Sequence, residues 1–592
     1  MHRVVLAALL ALAVAACGGG GGGDDSAPAP APSGTLRDMT PYSSAAGASL
    51  ASSSETASVT SHTFALAASA IAYTATAGHL DARDPRSGTT EASMFYVAYT
   101  VAGAAAARPL VFFYNGGPGS ATVWLHLGSF APRRIVTHAP SLAVPLPFQL
   151  VDNGESLIDV ADLVFVDAVG SGYSEAVAPY VNSSFWSVDK DAALMRDFIA
   201  RYVAVNVRAA SATYVFGESY GTTRSAVLAE LVLAAGMRLD GVILQSSVLD
   251  YNANCDQFAA GEVSCAGFLP SYGEVAAWYA LSRPVPGDAD AYADALRSFT
   301  SSTYAPALEA FLAARQAAPP GLVAELSDLT GAPPSLWDAN LDLGPLTFRS
   351  LVLPGQLMGR YDARIVAAAG SALAASGDPS SALITAPFAA AAQQLFSQEL
   401  LYSASAGYTL LADAIASWDF SHDGRTLPDT IPDLAAALTR DPALRVLSLA
   451  GYHDLATPFL QTEFDLARLG AQPNVVTRTY PGGHMIYLDD ASRARLKADV
   501  AAFLLGKPLP AEARAVPAFG ARAPAPAPRP TTPPASVAGS LTEIDRSALA
   551  QGGDPSVPPA LRVRPAASSP RGAALASLVR AKIAARDRDV YR

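Results

Sequence analysis

The sequence predicts an α/β protein with a mostly parallel central sheet, helices on both faces and a helical cap insertion. Apolar runs such as RPLVFFYN, ADLVFVD and LDGVILQ alternate with helical segments. Such runs are typical of parallel strands that are buried on both faces. Between about residues 252 and 405 the alternation stops and the chain becomes rich in alanine with several prolines. We interpret this segment as the cap.

Composition excludes some classes of function. The 592 residues carry a formal net charge of −12, which argues against a nucleic-acid partner. Three cysteines and eight scattered histidines predict no metal site. No motif calls for a cofactor, and nothing in the sequence indicates the oligomeric state.

The first residues have the layout of an export signal. A short apolar stretch follows His2 and Arg3 and ends in small residues before Cys17. Val14 to Cys17 resembles the bacterial lipobox, which predicts a signal peptide over 1–17 and a lipid anchor on Cys17. The alternative is an ordinary cleaved signal. With Gly18 next, we expect an exported lipoprotein at the outer membrane or in the periplasm of a bacterium.

Composition also divides the rest of the chain. Residues 18–61 are rich in Gly, Ser, Ala and Pro and predict a flexible tether. Residues 62–506 hold the strand and helix patterns of the predicted α/β domain. Residues 507–592 are rich in Pro and Ala, with 13 basic and 6 acidic residues, and predict a disordered tail.

Two cysteines, Cys255 and Cys265, lie ten positions apart within the predicted cap. An exported chain meets an oxidising compartment, where such a pair could close a small loop. We expect a disulfide; the alternative is two free thiols.

A candidate nucleophile lies in TYVFGESYGTTR. Gly217 to Gly221 fit the pattern G-x-S-x-G between a predicted strand and a predicted helix. Small residues on either side let Ser219 stand on a sharp turn, and the following helix directs backbone N–H groups toward an oxyanion.

A serine nucleophile needs a base and a carboxylate that orients the base. In this topology the chain order is Ser, acid, His. Asp454 and His484 each follow a late predicted strand in that order. We interpret His453 as a neighbour only. Three other aspartates that end strands fit the order less well: Asp162, Asp167 and Asp250.

The loop Asn115 to Gly119, NGGPG, follows an earlier strand. Its glycines could present backbone N–H groups to a substrate. It lacks the lysine and the glycine spacing of phosphate-binding loops, so we expect it to complete an oxyanion hole.

These stretches together resemble the serine carboxypeptidases (peptidase S10), most closely their bacterial members. The shared motifs are NGGPGSATVWLHLGSFAPRRI, FVDAVGSGYSEA, GESYGTTRSAVLAE, AGYHDLATPF and GGHMIYLD, in the family's order over about 73–505. The resemblance implies an α/β-hydrolase fold and release of C-terminal residues from peptides. It implies Ser219 as nucleophile, His484 as general base and acid, and Asp454 as the orienting carboxylate.

The resemblance also implies roles for four neighbouring residues. The backbone N–H groups of Gly117 and Tyr220 would form the oxyanion hole. Asn115 and Glu218 would bind the free C-terminal carboxylate of a peptide substrate. Glu218 can do this only when it is protonated, so we expect burial to raise its pKa and activity to be highest at mildly acidic pH.

The sequence departs from the family at several positions. Eukaryotic members carry a second glutamate where this chain has Ser129, so the carboxyl pair is incomplete. Phe113, Ser120 and Ala168 also differ from the usual residues. Two alternatives stay open: an esterase or acyltransferase on the same scaffold, and a non-catalytic surface lipoprotein that binds a ligand.

Overall fold

A computed structural model describes residues 34–66, 69–102, 108–141, 147–258, 261–338, 341–509 and 514–515. The predicted signal peptide with Cys17, the first part of the predicted tether and nearly all of the C-terminal tail lie outside the described residues. In chain order the strands are β1 (Leu36–Asp38), β2 (Ala57–Leu66), β3 (Ser69–Arg83), β4 (Thr90–Thr100), β5 (Leu110–Tyr114), β6 (Arg133–Val136), β7 (Gln149–Asp152), β8 (Asp162–Val166), β9 (Glu175–Ala176), β10 (Thr213–Glu218), β11 (Gly241–Gln245), β12 (Gln356–Met358), β13 (Val366–Ala368), β14 (Tyr402–Ala404), β15 (Arg445–Gly451), β16 (Val475–Tyr480) and β17 (Arg514–Ala515).

The helices separate these strands along the chain. They are α1 (Val123–Gly128), α2 (Val188–Val205), α3 (Tyr220–Ala234), α4 (Leu269–Trp278), α5 (Ala289–Phe299), α6 (Ala305–Ala314), α7 (Leu322–Thr330), α8 (Pro334–Asp338), α9 (Pro345–Leu351), α10 (Ala372–Ala375), α11 (Pro379–Gln394), α12 (Ile431–Arg440), α13 (Phe459–Ala467) and α14 (Asp490–Leu504). No described helix is long and apolar enough to span a bilayer.

Eleven of the described strands form one sheet, in the order β17-β16-β15-β11-β10-β5-β8-β4-β3-β2, with β9 beside β4. The six strands from β16 to β8 run parallel. Strands β2 to β4 add an antiparallel edge. The central strands are those predicted from the apolar runs, so the α/β fold class is confirmed.

The sheet is covered on both faces, and its central strand β5 is buried at every position. Phe112 belongs to the core formed with α2, α3 and α12. Its neighbour Phe113 belongs to the core formed with α1, α11 and α14. Since successive side chains in a strand point to opposite faces, this division places helices on each side of the sheet.

The predicted tether boundary at residue 61 is wrong, because the chain is already folded from about residue 34. Strand β1 pairs with β14, and β2 begins at Ala57 in the large sheet. The Asp38 carboxylate, almost buried, accepts hydrogen bonds from the hydroxyls of Tyr42 at 2.8 Å and Tyr402 at 3.0 Å. Composition misled here because small and hydroxylated residues suit an edge strand as well as a linker.

Residues 252–405, which we call the insertion, contain helices α4 to α11 and the hairpin β12–β13. A separate core of this segment includes Tyr272 and Phe348, whose rings stack at 4.1 Å, and reaches Leu455 of the main sheet domain. A disulfide joins Cys255 and Cys265, whose Cα atoms lie 5.3 Å apart. A buried ion pair between Arg297 and Glu463, at 2.7 Å, fastens the insertion to α13.

The N-terminal segment generates a test of the corrected boundary. A chain that begins at residue 62 should melt at a lower temperature than one that begins at residue 34. The deletion removes Asp38 and leaves the buried Tyr402 hydroxyl without this acceptor, which costs about 1–3 kcal/mol, and it removes β1 and part of β2. Differential scanning calorimetry of the two chains measures the difference, and equal melting temperatures would contradict the boundary.

Candidate active site

Ser219 lies at the sharp turn between β10 and α3. Its φ of 60° lies in the left-handed region, which costs a non-glycine residue about 1–3 kcal/mol. A Cβ added at Gly217 would come within 2.2 Å of the carbonyl oxygen of Gly221. The G-x-S-x-G pattern therefore has a steric cause, and the turn leaves the serine partly exposed among buried neighbours.

The glycine loop after β5 packs directly against this turn. A Cβ added at Gly116 would come within 2.5 Å of the backbone nitrogen of Tyr220. The buried guanidinium of Arg224, on α3, donates to the carbonyl oxygen of Asn115 at 2.9 Å and to the carboxylate of Asp191 at 2.7 Å. Arg224 thus ties the loop to the helix that follows the nucleophile turn.

Two backbone N–H groups at this junction are free to bind an anion. Tyr220 is the first residue of α3, so its N–H has no partner inside the helix. Gly117 has a φ of 104°, and its N–H donates to no acceptor among the described residues. The positive end of the helix dipole adds to the attraction for negative charge here.

Asp454 and His484 meet beyond the carboxyl ends of β15 and β16. The Asp454 carboxylate lies 2.8 Å from Nδ1 of His484 and also accepts hydrogen bonds from the backbone N–H groups of Ala456 and Thr457 at 2.8 and 3.1 Å. Burial alone would raise the pKa of Asp454, but the His484 charge and these hydrogen bonds hold it below its usual value. The carboxylate is therefore ionised and orients the imidazole.

The other imidazole nitrogen of His484 is directed away from Asp454. Burial would lower the pKa of His484, but Asp454 raises it above its usual value. Its Nε2 is buried without a hydrogen-bond partner among the residues that the structure describes. Because Nδ1 is held by the carboxylate, Nε2 is the atom available to exchange a proton with a hydroxyl.

The end of β11 connects the serine turn to the histidine loop. The carbonyl oxygen of Gln245 accepts from the backbone N–H of Ser219 at 3.0 Å. The hydroxyl of the next residue, Ser246, donates to the carbonyl oxygen of His484 at 2.6 Å. These two contacts bring residues 219 and 484, which are far apart in the chain, to the same edge of the sheet.

The Glu218 side chain lies in this junction and is almost fully buried. Its two carboxyl oxygens accept from the amide of Asn115 at 2.6 Å and from the amide of Gln245 at 2.8 Å. Burial raises the pKa of Glu218 to about 7, although the charge of His484 and neighbouring hydrogen bonds oppose the shift. A substantial fraction of Glu218 is therefore protonated in mildly acidic solution.

The alternative aspartates are engaged elsewhere. Asp162 begins β8 and does not end a strand, contrary to the sequence interpretation, and it pairs with Arg208 at 2.6 Å. Asp250 pairs with Arg468 at 2.7 Å. Asp167 accepts from the backbone N–H of Thr122 at 2.7 Å, and burial raises its pKa to about 7.

The His453 side chain makes its hydrogen bond with a backbone group and not with Asp454. Its Nδ1 lies 2.6 Å from the carbonyl oxygen of Pro481. Burial, together with the nearby Arg364 charge, lowers the pKa of His453 to about 3. This environment fits its interpretation as a neighbour of the acid.

A small cleft, partly open to solvent, borders the His484 loop. One wall is the insertion, where the Tyr361 ring lies 4.7 Å from the imidazole of His484. The rest of the lining is mostly apolar, and its members are Thr137, Ala139, Asp362, Ile365, Ser380, Ser381, Leu383, Ile384, Gly483, Met485 and Leu488. The insertion thus shapes the space beside the candidate base.

Sequence reasoning missed Gln245 and Thr457. The hydroxyl of Thr457 donates to Asp454 at 2.8 Å and lies 3.1 Å from Nδ1 of His484. Gln245 is a polar residue at the carboxyl end of a predicted central strand, which is the signal that identified the other site residues. Within the described residues, no group of three or more His, Cys, Asp or Glu side chains could hold a metal ion.

The close approach of Gly116 to the turn can be tested by substitution. Gly116→Ala should slow fluorophosphonate labelling of Ser219 by about a hundredfold, the effect of losing an oxyanion donor, because the added methyl group separates the loop from Tyr220. The matched control is Gly154→Ala, since a Cβ there meets no atom within 4 Å. Labelling of Gly116→Ala at the control rate would show that the loop need not pack on the turn.

Comparison with known proteins supports the motif analysis. Residues 68–263 match a family model described as serine carboxypeptidase (peptidase S10). No curated protein matches the chain.

Two solved structures are similar in part. Kex1(Δ)p, a prohormone-processing carboxypeptidase from Saccharomyces cerevisiae, is 14% identical, with 73% of this chain and 91% of that chain covered and a TM-score of 0.46. A proline iminopeptidase from Mycobacterium smegmatis is 15% identical, with 76% and 98% covered and a TM-score of 0.30. Neither similarity is close enough to indicate a function.

The family match covers two motifs of the site, whereas Asp454 and His484 lie beyond the matched residues. The matched residues contain the NGGPG loop and the G-x-S-x-G turn, and these two motifs pack against each other. The resemblance predicted from the motifs is therefore confirmed: residues 68–263 match the serine carboxypeptidase (peptidase S10) family.

Proposed function

We propose that this protein is a serine carboxypeptidase that removes C-terminal residues from peptides through an acyl-enzyme. The observation that carries the proposal is the buried Glu218 carboxyl, directly before Ser219 and hydrogen-bonded to Asn115 at 2.6 Å. A carboxyl that is protonated near neutral pH can donate a hydrogen bond to a carboxylate, which an ionised one would repel.

In the proposed mechanism the Ser219 hydroxyl attacks the carbonyl carbon of the last peptide bond. His484 Nε2 takes the hydroxyl proton and then gives it to the leaving amine nitrogen. Asp454 keeps the imidazole oriented and stabilises its charged form. A water molecule, deprotonated by His484, attacks the acyl-enzyme, and the proton returns to the Ser219 oxygen as the shortened peptide leaves.

The negative oxygen of each tetrahedral intermediate would accept hydrogen bonds from the N–H groups of Gly117 and Tyr220. Such donors typically contribute about 2.7–4 kcal/mol each to the transition state. They are fixed before substrate binds, because the loop carrying Gly117 packs on the turn and Arg224 ties the two together.

The alternative function, an esterase or acyltransferase on the same scaffold, shares the serine chemistry but needs no recognition of a free carboxylate. The two functions therefore differ in how they treat a peptide and its C-terminal amide.

The first test compares a blocked dipeptide with its C-terminal amide. We expect kcat/KM for the free acid to exceed that for the amide by about tenfold or more, the value of a hydrogen bond to a charged group. Ser219→Ala should cleave neither compound and should resist fluorophosphonate. Equal cleavage of acid and amide by the wild-type protein would instead favour the alternative function.

The second test is the pH dependence of hydrolysis. The favourable form of Glu218 is protonated, so binding of a peptide acid should be strong below the pKa of about 7 and lost as pH rises through it. As pH falls through the raised pKa of His484, protonation removes the base, which gives a bell-shaped profile. Glu218→Gln, which cannot ionise, should lose the alkaline limb and keep the acid limb.

A wild-type rate on the peptide acid that stayed constant or rose from pH 7 to 9 would contradict this role of Glu218. The amide substrate serves as the internal control, because its binding should not depend on the charge of Glu218.

A further inference from the structure

Tyr487 is a buried side chain next to the Glu218 carboxyl that the mechanism above does not use. It follows His484 by three residues, in a short helical turn between the histidine loop and α14. The side chain is about 1% exposed. Burial and the adjacent Glu218 carboxyl raise the pKa of Tyr487 well above its usual range, so its hydroxyl keeps its proton.

The ring of Tyr487 is held firmly against the end of α1. A Cβ added at Gly128 would come within 2.4 Å of the ring, so only glycine leaves room for it. The buried guanidinium of Arg493 donates to the carbonyl oxygens of both Tyr487 and Gly128, the latter at 2.8 Å. Such packing fixes where the hydroxyl lies.

That hydroxyl lies beside both proposed carboxylate-binding side chains. It interacts with the carboxyl of Glu218 and with the amide of Asn115. Yet it makes no hydrogen bond of good distance and angle with any described residue. A buried hydroxyl without a partner costs about 1–3 kcal/mol, so a donor of this kind in a binding site is poised for an acceptor from the ligand.

We propose that the Tyr487 hydroxyl donates a hydrogen bond to the C-terminal carboxylate of the peptide substrate and is a specificity-determining residue. The inference rests on the proposed carboxypeptidase function. One substrate oxygen would accept from protonated Glu218 and Asn115, and the other from Tyr487. No cation contributes to this set of donors, which are all neutral when the substrate binds.

The Tyr487 donor differs from Glu218 in one respect. Because its pKa lies well above the usual range, it still donates at a pH at which Glu218 has ionised. Tyr487 also stabilises the ionised form of Glu218, since it lowers the pKa of that carboxyl. Removing the hydroxyl should therefore weaken binding of a carboxylate and raise the pKa of Glu218.

The test is Tyr487→Phe, which deletes one oxygen and retains the packed ring. For a blocked dipeptide acid we expect KM to rise about tenfold or more, while kcat changes little and the C-terminal amide is cleaved as by wild type. The alkaline limb of the pH profile should move to higher pH. Tyr304→Phe is the matched control, because the Tyr304 hydroxyl is also buried but donates to the carbonyl oxygen of Leu341 in the insertion.

The outcomes separate this inference from the function on which it rests. An unchanged preference for acid over amide in Tyr487→Phe, or an equal loss with both substrates, would overturn the role of Tyr487 and leave the carboxypeptidase function standing. Equal cleavage of acid and amide by the wild-type protein would overturn both. A melting temperature of Tyr487→Phe at or above that of the wild-type protein confirms that the change acts on binding and not on folding.

Discussion

The burial of one carboxyl group, Glu218, determines how the candidate site is built. Its removal from water favours the neutral form, and the loops around it supply donors from several directions. Asn115 comes from the loop after β5 and Gln245 from the end of β11. The same two segments hold the serine turn and the histidine loop in place. The proposed substrate recognition and catalysis thus depend on a single packed junction.

Much of this architecture could be predicted from the sequence, because the central strands and the serine turn obey local rules. Phe112 and Phe113 lie in a run that is apolar at every position. A strand needs such a run only when both of its faces are covered. Gly217 and Gly221 are required by the turn itself. The order of Ser219, Asp454 and His484 followed from strand ends, and the structure places the aspartate and histidine in contact.

Other features could not be predicted, since they depend on contacts between distant segments. The segment around Asp38 reads as a linker by composition, but its partners Tyr402 and Glu175 lie far along the chain. Nothing local in GGHMIYLD distinguishes Tyr487 from an ordinary core tyrosine. Its relation to Glu218 appears only when the histidine loop folds against α1.

The insertion does more than form a wall of the cleft. A few of its backbone groups form hydrogen bonds with the loops that carry His453 and His484. The carbonyl oxygen of Tyr361 accepts a hydrogen bond from the backbone N–H of His484 at 2.6 Å. The backbone N–H of Ala363 donates to the carbonyl oxygen of His453 at 3.1 Å. An engineer who exchanged this segment for that of another hydrolase, to alter selectivity, would also replace the scaffold beneath the imidazole. Residues 360–363 would have to be kept unchanged, so that their backbone hydrogen bonds to the His484 and His453 loops are preserved. New side chains could then be introduced only elsewhere in the segment.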